Sequence, residues 1–110
     1  MRLIRDKSEL KSTCYIEFLP GVYRGKCWNE ASVFLDESDF FKLKLIFEQR
    51  CPAFDYFAFT TIDAETWRRI AADLRVLAAV DQELGPAAGE LADWVQQQLE
   101  SHDTITVLGM

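Results

Sequence analysis

The chain has 110 residues, of which 49% are apolar and 13% aromatic, and its formal net charge is −6. This length corresponds to one domain, and the apolar content excludes a disordered chain. A chain of this size buries roughly two-thirds of its surface on folding, so neither a disulfide nor a metal is needed for stability. We therefore expect a single domain over residues 1–110.

The first third of the chain is predicted to form strands. Residues 14–19 are rich in β-forming side chains and end at the turn dipeptide Pro20-Gly21. Residues 22–28 are the candidate partner of this strand in a hairpin, whereas Leu3-Ile4 is too short to assign. The acidic residues at positions 36–39 then predict a capped helix start, because carboxylates suit the positive end of the helix dipole.

Residues 40–50 match both a strand and a helix. The acid-rich start before this segment and the Cys51-Pro52 stop after it favour the helix. The strand alternation uses Phe41, Leu43, Leu45 and Phe47, and the helical stripe uses Phe40, Leu43, Ile46 and Phe47.

Residues 54–61 are predicted to form a central strand covered on both faces, because their aromatic side chains alternate to both sides. Asp63 then caps a helix, with Ile62 and Trp67 forming a hydrophobic staple. This helix is expected to run to about Leu84 and to end at Gly85.

Pro86 suits the first turn of another helix, and residues 103–108 alternate as a terminal strand does. The order of elements predicts an α+β fold, with a small mixed or antiparallel sheet and about three helices packed against it.

Motifs for catalysis and metal binding are missing from the sequence, so we predict no catalytic residue, no metal site and no cofactor. The cysteines at 14, 27 and 51 form no CxxC pair, and we expect them to behave as small buried apolar residues. His102 is expected to cap a helix C-terminus, and the acids at 36, 37 and 39 to cap a helix N-terminus. Arg68, Arg69 and Arg75 are expected to form surface ion pairs.

The negative charge is segregated along the chain. Residues 1–75 hold all the lysines and arginines with twelve acids, whereas residues 76–110 hold six acids and no basic residue. Such a distribution repels nucleic acid and attracts basic partners. The simpler alternative is that these acids only keep the domain in solution. No stretch approaches the 18 apolar residues of a membrane span, and the N-terminus that begins with residues 1–7 shows no apolar run resembling a signal peptide, so a cytoplasmic location is expected.

One face of the helix that begins at Pro86 is the predicted partner-binding site. A turn of 100° per residue places its polar side chains on an arc opposite the apolar stripe, with an aromatic residue on the flank. An aromatic residue beside charged side chains is typical of an interface anchor, with the charges steering the partner. The alternative is that this aromatic residue only widens the core face of the helix. The predicted site, which we call the acidic arc, consists of Glu90, Asp93, Trp94, Gln97 and Glu100.

Three segments, residues 40–47, 51–57 and 61–70, resemble the small immunity proteins of bacterial contact-dependent growth inhibition systems. The resemblance implies a cytoplasmic protein, without enzymatic activity, that binds and neutralises the toxic C-terminal domain of a cognate toxin. Such toxins are frequently basic nucleases, and an acidic protein can bind them by mimicking nucleic acid or by blocking the site that binds it. We expect neither nucleic acid nor a membrane as a partner, and a monomer in the absence of toxin.

Two other classes of function fit the same sequence. One is another protein-binding role, as an antitoxin, an adaptor or a subunit of a larger assembly. The other is a small ligand-binding protein or enzyme built around residues 54–60. An enzyme would require a deep pocket with convergent polar groups, whereas an immunity protein requires only a surface.

Overall fold

The computed structural model of the protein describes residues 3–10 and 14–109. Its elements confirm the α+β prediction, with a four-stranded antiparallel sheet and three α-helices in one domain. In chain order they are β1 (Tyr15–Pro20), β2 (Val33–Asp36), α1 (Glu37–Arg50), β3 (Phe59–Asp63), α2 (Ala64–Val80), α3 (Gly85–Gln98) and β4 (Thr104–Leu108).

The strands lie in the order β2-β1-β4-β3, so the last strand in the chain occupies an inner position of the sheet. β4 pairs with β1 on one side and with β3 on the other, both antiparallel. Beyond β2, Ile4 forms a short antiparallel bridge with Phe34 through two backbone hydrogen bonds of 2.8 and 2.7 Å. The first and third strands are therefore held together only through β4.

Two strand predictions are wrong. Residues 22–28 are not the hairpin partner of β1, which pairs instead with β2 and β4. Gly25 and Trp28 have positive φ angles of 89° and 60°, which turn the chain away from an extended path. The aromatic strand begins only at Phe59, because a turn precedes it in which the Ala58 amide donates to the Asp55 carbonyl at 3.3 Å and the Asp55 amide to Thr60 Oγ1 at 3.1 Å. This strand lies at the edge of the sheet rather than at its centre.

The helix predictions are mostly confirmed. The ambiguous segment 40–50 is helical, and α1 begins after Asp36, whose side chain accepts the Ser38 amide at 2.9 Å. α2 begins after Asp63, which accepts the Thr66 amide at 2.9 Å. It ends at Val80 rather than near Leu84, because the Asp81 side chain accepts the amides of residues 83 and 84 and turns the chain.

The helices cover one face of the sheet, where aromatic side chains form the core. The ring of Phe18 from β1 lies 6.0 Å from that of Phe40 and 6.2 Å from that of Phe47. Trp67 of α2 meets Phe47 edge-on at 5.5 Å, and its indole N–H donates to the Ile105 carbonyl at 2.8 Å. The buried polar group of this large side chain is thus satisfied by the backbone of β4.

The opposite face of the sheet is covered by the loop of residues 21–32, which no sequence pattern predicted. Glu17 of β1 points into this loop and is only 2% exposed. Its carboxylate accepts the amides of Trp28 and Asn29 at 2.6 and 2.9 Å, and the side chains of Asn29 and Ser32 at 2.9 and 2.5 Å. Four donors therefore hold one buried carboxylate, and through it they fix the loop on the sheet.

Candidate protein-binding surface

The structure places four of the five acidic-arc residues at the surface, three of them on α3 and Glu100 just after its C-cap. Asp93, Gln97 and Glu100 are exposed and Glu90 is half-buried. Trp94 is instead 4% exposed and belongs to the core, so it cannot serve as the exposed anchor. The buried face of α3 is wide, because small residues such as Ala88 and Ala92 bring it close to its neighbours. This width places Trp94 inside the core, as the alternative interpretation proposed.

Arg75 of α2 adds a positive charge to the acidic arc. Its guanidinium donates to Asp93 Oδ1 and to Gln96 Oε1, both at 2.9 Å. The ion-pair prediction is thereby confirmed for Arg75 and for Arg69, which pairs with Glu65 at 2.9 Å. It is wrong for Arg68, which takes part in none of the ion pairs found among the described residues. Both side chains of the Arg75–Asp93 pair are about half exposed or more, so the pair contributes little stability. Its main effect is to remove one negative charge from the arc.

Glu90 and Glu100 carry the remaining charge of the arc. Neither takes part in the ion pairs found among residues 3–10 and 14–109. α3 also has no acid in its first turn and no basic residue in its last turn, and Glu100 directly follows its C-cap, Leu99. Acids near a helix C-terminus oppose the helix dipole and cost stability. Glu100 and the last carbonyls of α3 therefore place negative charge at its C-terminal end, beside Arg68 and Arg75 of the neighbouring helix.

An open groove of about 460 Å³ lies between α2 and α3, next to the acidic arc. Small and apolar side chains form its floor, and charged and amide groups form its rim. The enzyme alternative predicts a pocket around residues 54–60, but none of the residues that line this groove belongs to that segment. It is lined by Arg68, Ala71, Ala72, Arg75, Val95, Gln96, Leu99 and Glu100.

The other predicted polar sites have local structural roles. The C-cap of α3 is Leu99 rather than His102, but His102 Nδ1 lies 3.2 Å from the Gln98 carbonyl oxygen and so contacts the C-terminal end of this helix, where it was expected. Glu37 accepts the Tyr56 hydroxyl at 2.6 Å. Burial and this hydrogen bond together raise the pKa of Tyr56 to about 12. Within the part of the chain that the structure describes, no three His, Cys, Asp or Glu side chains form a group that could hold a metal ion.

The prediction that the cysteines are buried is wrong for two of them. Cys14 and Cys27 are exposed, and Cys51 is half-buried against the core. Cys27 lies in the loop that covers the second face of the sheet, and Cys14 precedes β1. Their exposure follows from these positions outside the regular elements, which a count of apolar residues does not detect.

Comparison with protein-family models, with curated proteins and with solved structures finds no match to this chain. Among the helices of the described residues, none is long and apolar enough to cross a membrane.

Proposed function

We propose that this protein binds a basic toxin domain in the cytoplasm and neutralises it by occluding its active or substrate-binding surface. The observation that carries the proposal is the acidic arc, in which Glu90 and Glu100 lie outside the ion pairs of the described residues. The resemblance to immunity proteins of contact-dependent growth inhibition systems supports the same function. No catalytic step is required, because blocking a surface needs complementarity alone.

The charge distribution favours rapid association with a basic partner. Long-range attraction raises association rates above the roughly 10⁵–10⁶ M⁻¹s⁻¹ of uncharged pairs. Once contact is made, the groove between α2 and α3 offers an apolar floor for a partner side chain. The amides of Gln96 and Gln97 on its border supply hydrogen bonds, which fix orientation more than they add affinity.

The proposal predicts a toxin gene immediately upstream of this gene, and co-expression with the C-terminal domain of that toxin tests neutralisation. We expect the wild-type protein to protect cells, and the purified pair to associate at a rate that falls steeply with salt. The Glu90→Lys/Glu100→Lys double variant should slow association by roughly tenfold or more at low salt and flatten its salt dependence.

The matched control is the Glu9→Lys/Glu30→Lys double variant, which makes the same change in net charge at two exposed acids outside the acidic arc. This control should leave the association rate within about twofold of the wild-type rate, because its charge lies outside the acidic arc. Continued killing despite expression of the folded protein would refute neutralisation. Equal slowing by the control and the arc variant would show that only net charge matters.

A further inference from the structure

Three aromatic rings form a cluster at the surface beside the first half of α1. Phe41 of α1 is 62% exposed, and Phe57, in the loop before β3, is 77% exposed. Tyr56 lies buried between them, with its ring centroid 6.2 Å from that of Phe41 and 5.0 Å from that of Phe57. Single exposed apolar residues are ordinary, whereas contiguous exposed rings are typical of interaction sites. We call Phe41, Tyr56 and Phe57 the aromatic patch.

A cation of this chain already contacts the aromatic patch. Lys44 Nζ lies 5.3 Å from the ring centroid of Phe41 and 5.4 Å from that of Tyr56. Both distances are within the range of about 6 Å over which a ring face attracts a cation. Phe41 nevertheless stays largely exposed, as does Phe57. The patch therefore has an arrangement of rings that holds a cation, and it keeps free ring area for a second one.

Two carboxylates are hydrogen-bonded to the aromatic patch. Glu37 accepts the Tyr56 hydroxyl at 2.6 Å, and Asp55 accepts the Phe57 amide at 2.9 Å. Glu37 also lines an open groove of about 440 Å³ that has Phe41 on its wall. Ring surface and carboxylate oxygens thus lie side by side at this surface.

The charge around the aromatic patch is negative. Glu37 and Asp55 take part in none of the ion pairs found among residues 3–10 and 14–109. The lysines of this surface, Lys42 and Lys44, each pair with another glutamate of the chain, at 2.9 and 3.6 Å. Their charges therefore do not offset those of Glu37 and Asp55. A partner that meets this surface is favoured if it is cationic.

From these rings and carboxylates we infer that the aromatic patch binds an arginine-rich segment of a partner protein. Arginine fits this surface better than lysine does, because its planar guanidinium stacks on ring faces and forms paired hydrogen bonds with carboxylates. It is also more weakly hydrated than an ammonium group, so it loses less on leaving water. A nucleic acid could stack its bases on the same rings, but Glu37 and Asp55 would repel its phosphates.

The aromatic patch is separate from the acidic arc. Phe41 and Arg50 point to opposite sides of α1, because their spacing in the sequence places them about 180° apart around the helix axis. Arg50 contacts Asp73 of α2, so Phe41 lies on the side of α1 away from α2. α3 contacts α2 through the Arg75–Asp93 pair. The inference thus concerns a second surface and does not depend on the proposed toxin site.

Titration of the full chain with hexa-arginine and with hexa-lysine, followed by NMR at each amide, tests this inference. The two peptides carry the same charge, so they differ in side-chain chemistry and not in long-range attraction. At the amides of the aromatic patch, the dissociation constant for hexa-arginine should be at least about threefold lower than that for hexa-lysine. The acidic arc has no exposed ring, because Trp94 is buried, so there the two constants should agree within about twofold.

The Phe41→Leu/Phe57→Leu double variant removes the two exposed rings and keeps apolar side chains and every charge. At the aromatic patch it should bring the two dissociation constants within about twofold of each other. The matched control is Phe59→Leu, the same substitution at an exposed ring that packs 4.8 Å from the ring of Tyr23. This control should keep the preference for arginine. Circular dichroism confirms that each variant is folded.

Three outcomes would overturn the inference: equal binding of the two peptides at the wild-type patch, an intact arginine preference in the double variant, or the same loss in Phe59→Leu. The comparison of peptides on the wild-type protein needs no variant, so a misfolded variant does not decide the result. Neither peptide involves the toxin. Loss of the arginine preference would therefore refute only the aromatic patch, and continued killing by the toxin would refute only the proposed function.

Discussion

The two faces of the sheet are covered in different ways. On the helix side, rings of Phe18, Phe40, Phe47 and Trp67 pack together, and the buried area is shared among many contacts. On the loop side, one carboxylate, that of Glu17, receives four hydrogen bonds from a segment without regular structure. The helix side is stabilised by apolar area buried on many side chains. The loop side is stabilised by hydrogen bonds that all depend on Glu17.

This difference has an energetic reason. Helices satisfy their own backbone groups and need only apolar contact with the sheet, whereas an irregular segment brings amides that must find acceptors. Glu17 supplies acceptors for the amides of Trp28 and Asn29. Trp28 has a φ of 60°, a left-handed backbone conformation that residues other than glycine rarely adopt. A buried carboxylate here offsets the cost of a strained loop. Loss of one hydrogen bond to Glu17 should therefore change the local structure of the loop. Loss of one ring contact should leave the local structure of the helices nearly unchanged.

The largest expected effect is on the helix side. Phe47→Ala removes a fully buried ring that contacts Phe18, Phe40 and Trp67, and it should lower the free energy of unfolding by about 3–5 kcal/mol. Urea denaturation measures this change. Leu45→Ala, on the exposed side of the same helix, should stay within about 0.5 kcal/mol of the wild type. Similar losses in both variants would mean that this aromatic cluster does not dominate stability.

On the loop side, we expect an intermediate and local effect. Glu17→Gln replaces one acceptor oxygen by an NH₂ group that faces donors, which should cost about 2–3 kcal/mol. Hydrogen exchange should accelerate at the amides of Trp28 and Asn29 more than at those of β4. Glu30→Gln, at an exposed glutamate of the same loop, should change neither measurement. Unaltered exchange in Glu17→Gln would remove the distinction between the two faces.

The smallest expected effect concerns a polar contact on the helix side, between Tyr56 and Glu37. Burial and the hydrogen bond to Glu37 raise the pKa of Tyr56 to about 12, above its ordinary value near 10. The unfolded chain therefore releases this proton first, so the contribution of Tyr56 is complete below pH 10 and declines as the pH rises towards 12.

Tyr56→Phe should accordingly cost about 1 kcal/mol at neutral pH and flatten the loss of stability between pH 10 and 12. Denaturation at a series of alkaline pH values measures both effects. A variant that keeps the full alkaline slope would show that another group titrates in this window. A neutral-pH loss as large as that of Glu17→Gln would show that single polar contacts matter equally on both faces.

Sequence patterns predicted the helix side well and the loop side poorly. The caps at Asp36 and Asp63 and the stripe of α2 are local, so the spacing of a few residues specifies them. The contact of Glu17 with Ser32 spans fifteen residues through an irregular segment, and no periodic pattern reports it. The strand Val33–Asp36 was missed for a related reason, because four residues ending in a helix cap are too few to show alternation.

The candidate site was predicted in part. The polar spacing of α3 correctly identified an outward arc with Asp93, Gln97 and Glu100 at the surface. The position of Trp94 depends on how closely α3 approaches α2, where Gly89 faces Ala78, and tertiary distances of this kind lie beyond a helical wheel. The neutralisation of Asp93 by Arg75 likewise needs the two helices side by side. The exposure of Val76 and Val80, in contrast, agrees with the helical spacing, because both lie off the stripe of buried α2 residues.

The inner position of β4 has a consequence for biosynthesis. Because β1 and β3 are joined only through residues 104–108, the sheet cannot close while the ribosome is still adding α3. Until then, the core faces of β1, α1 and α2 lack a partner strand, and such exposed apolar surface favours aggregation. Contacts between segments so far apart in the chain also slow folding. Completion of this domain is therefore expected to follow synthesis of residues 104–108, with chaperone binding favoured before that point.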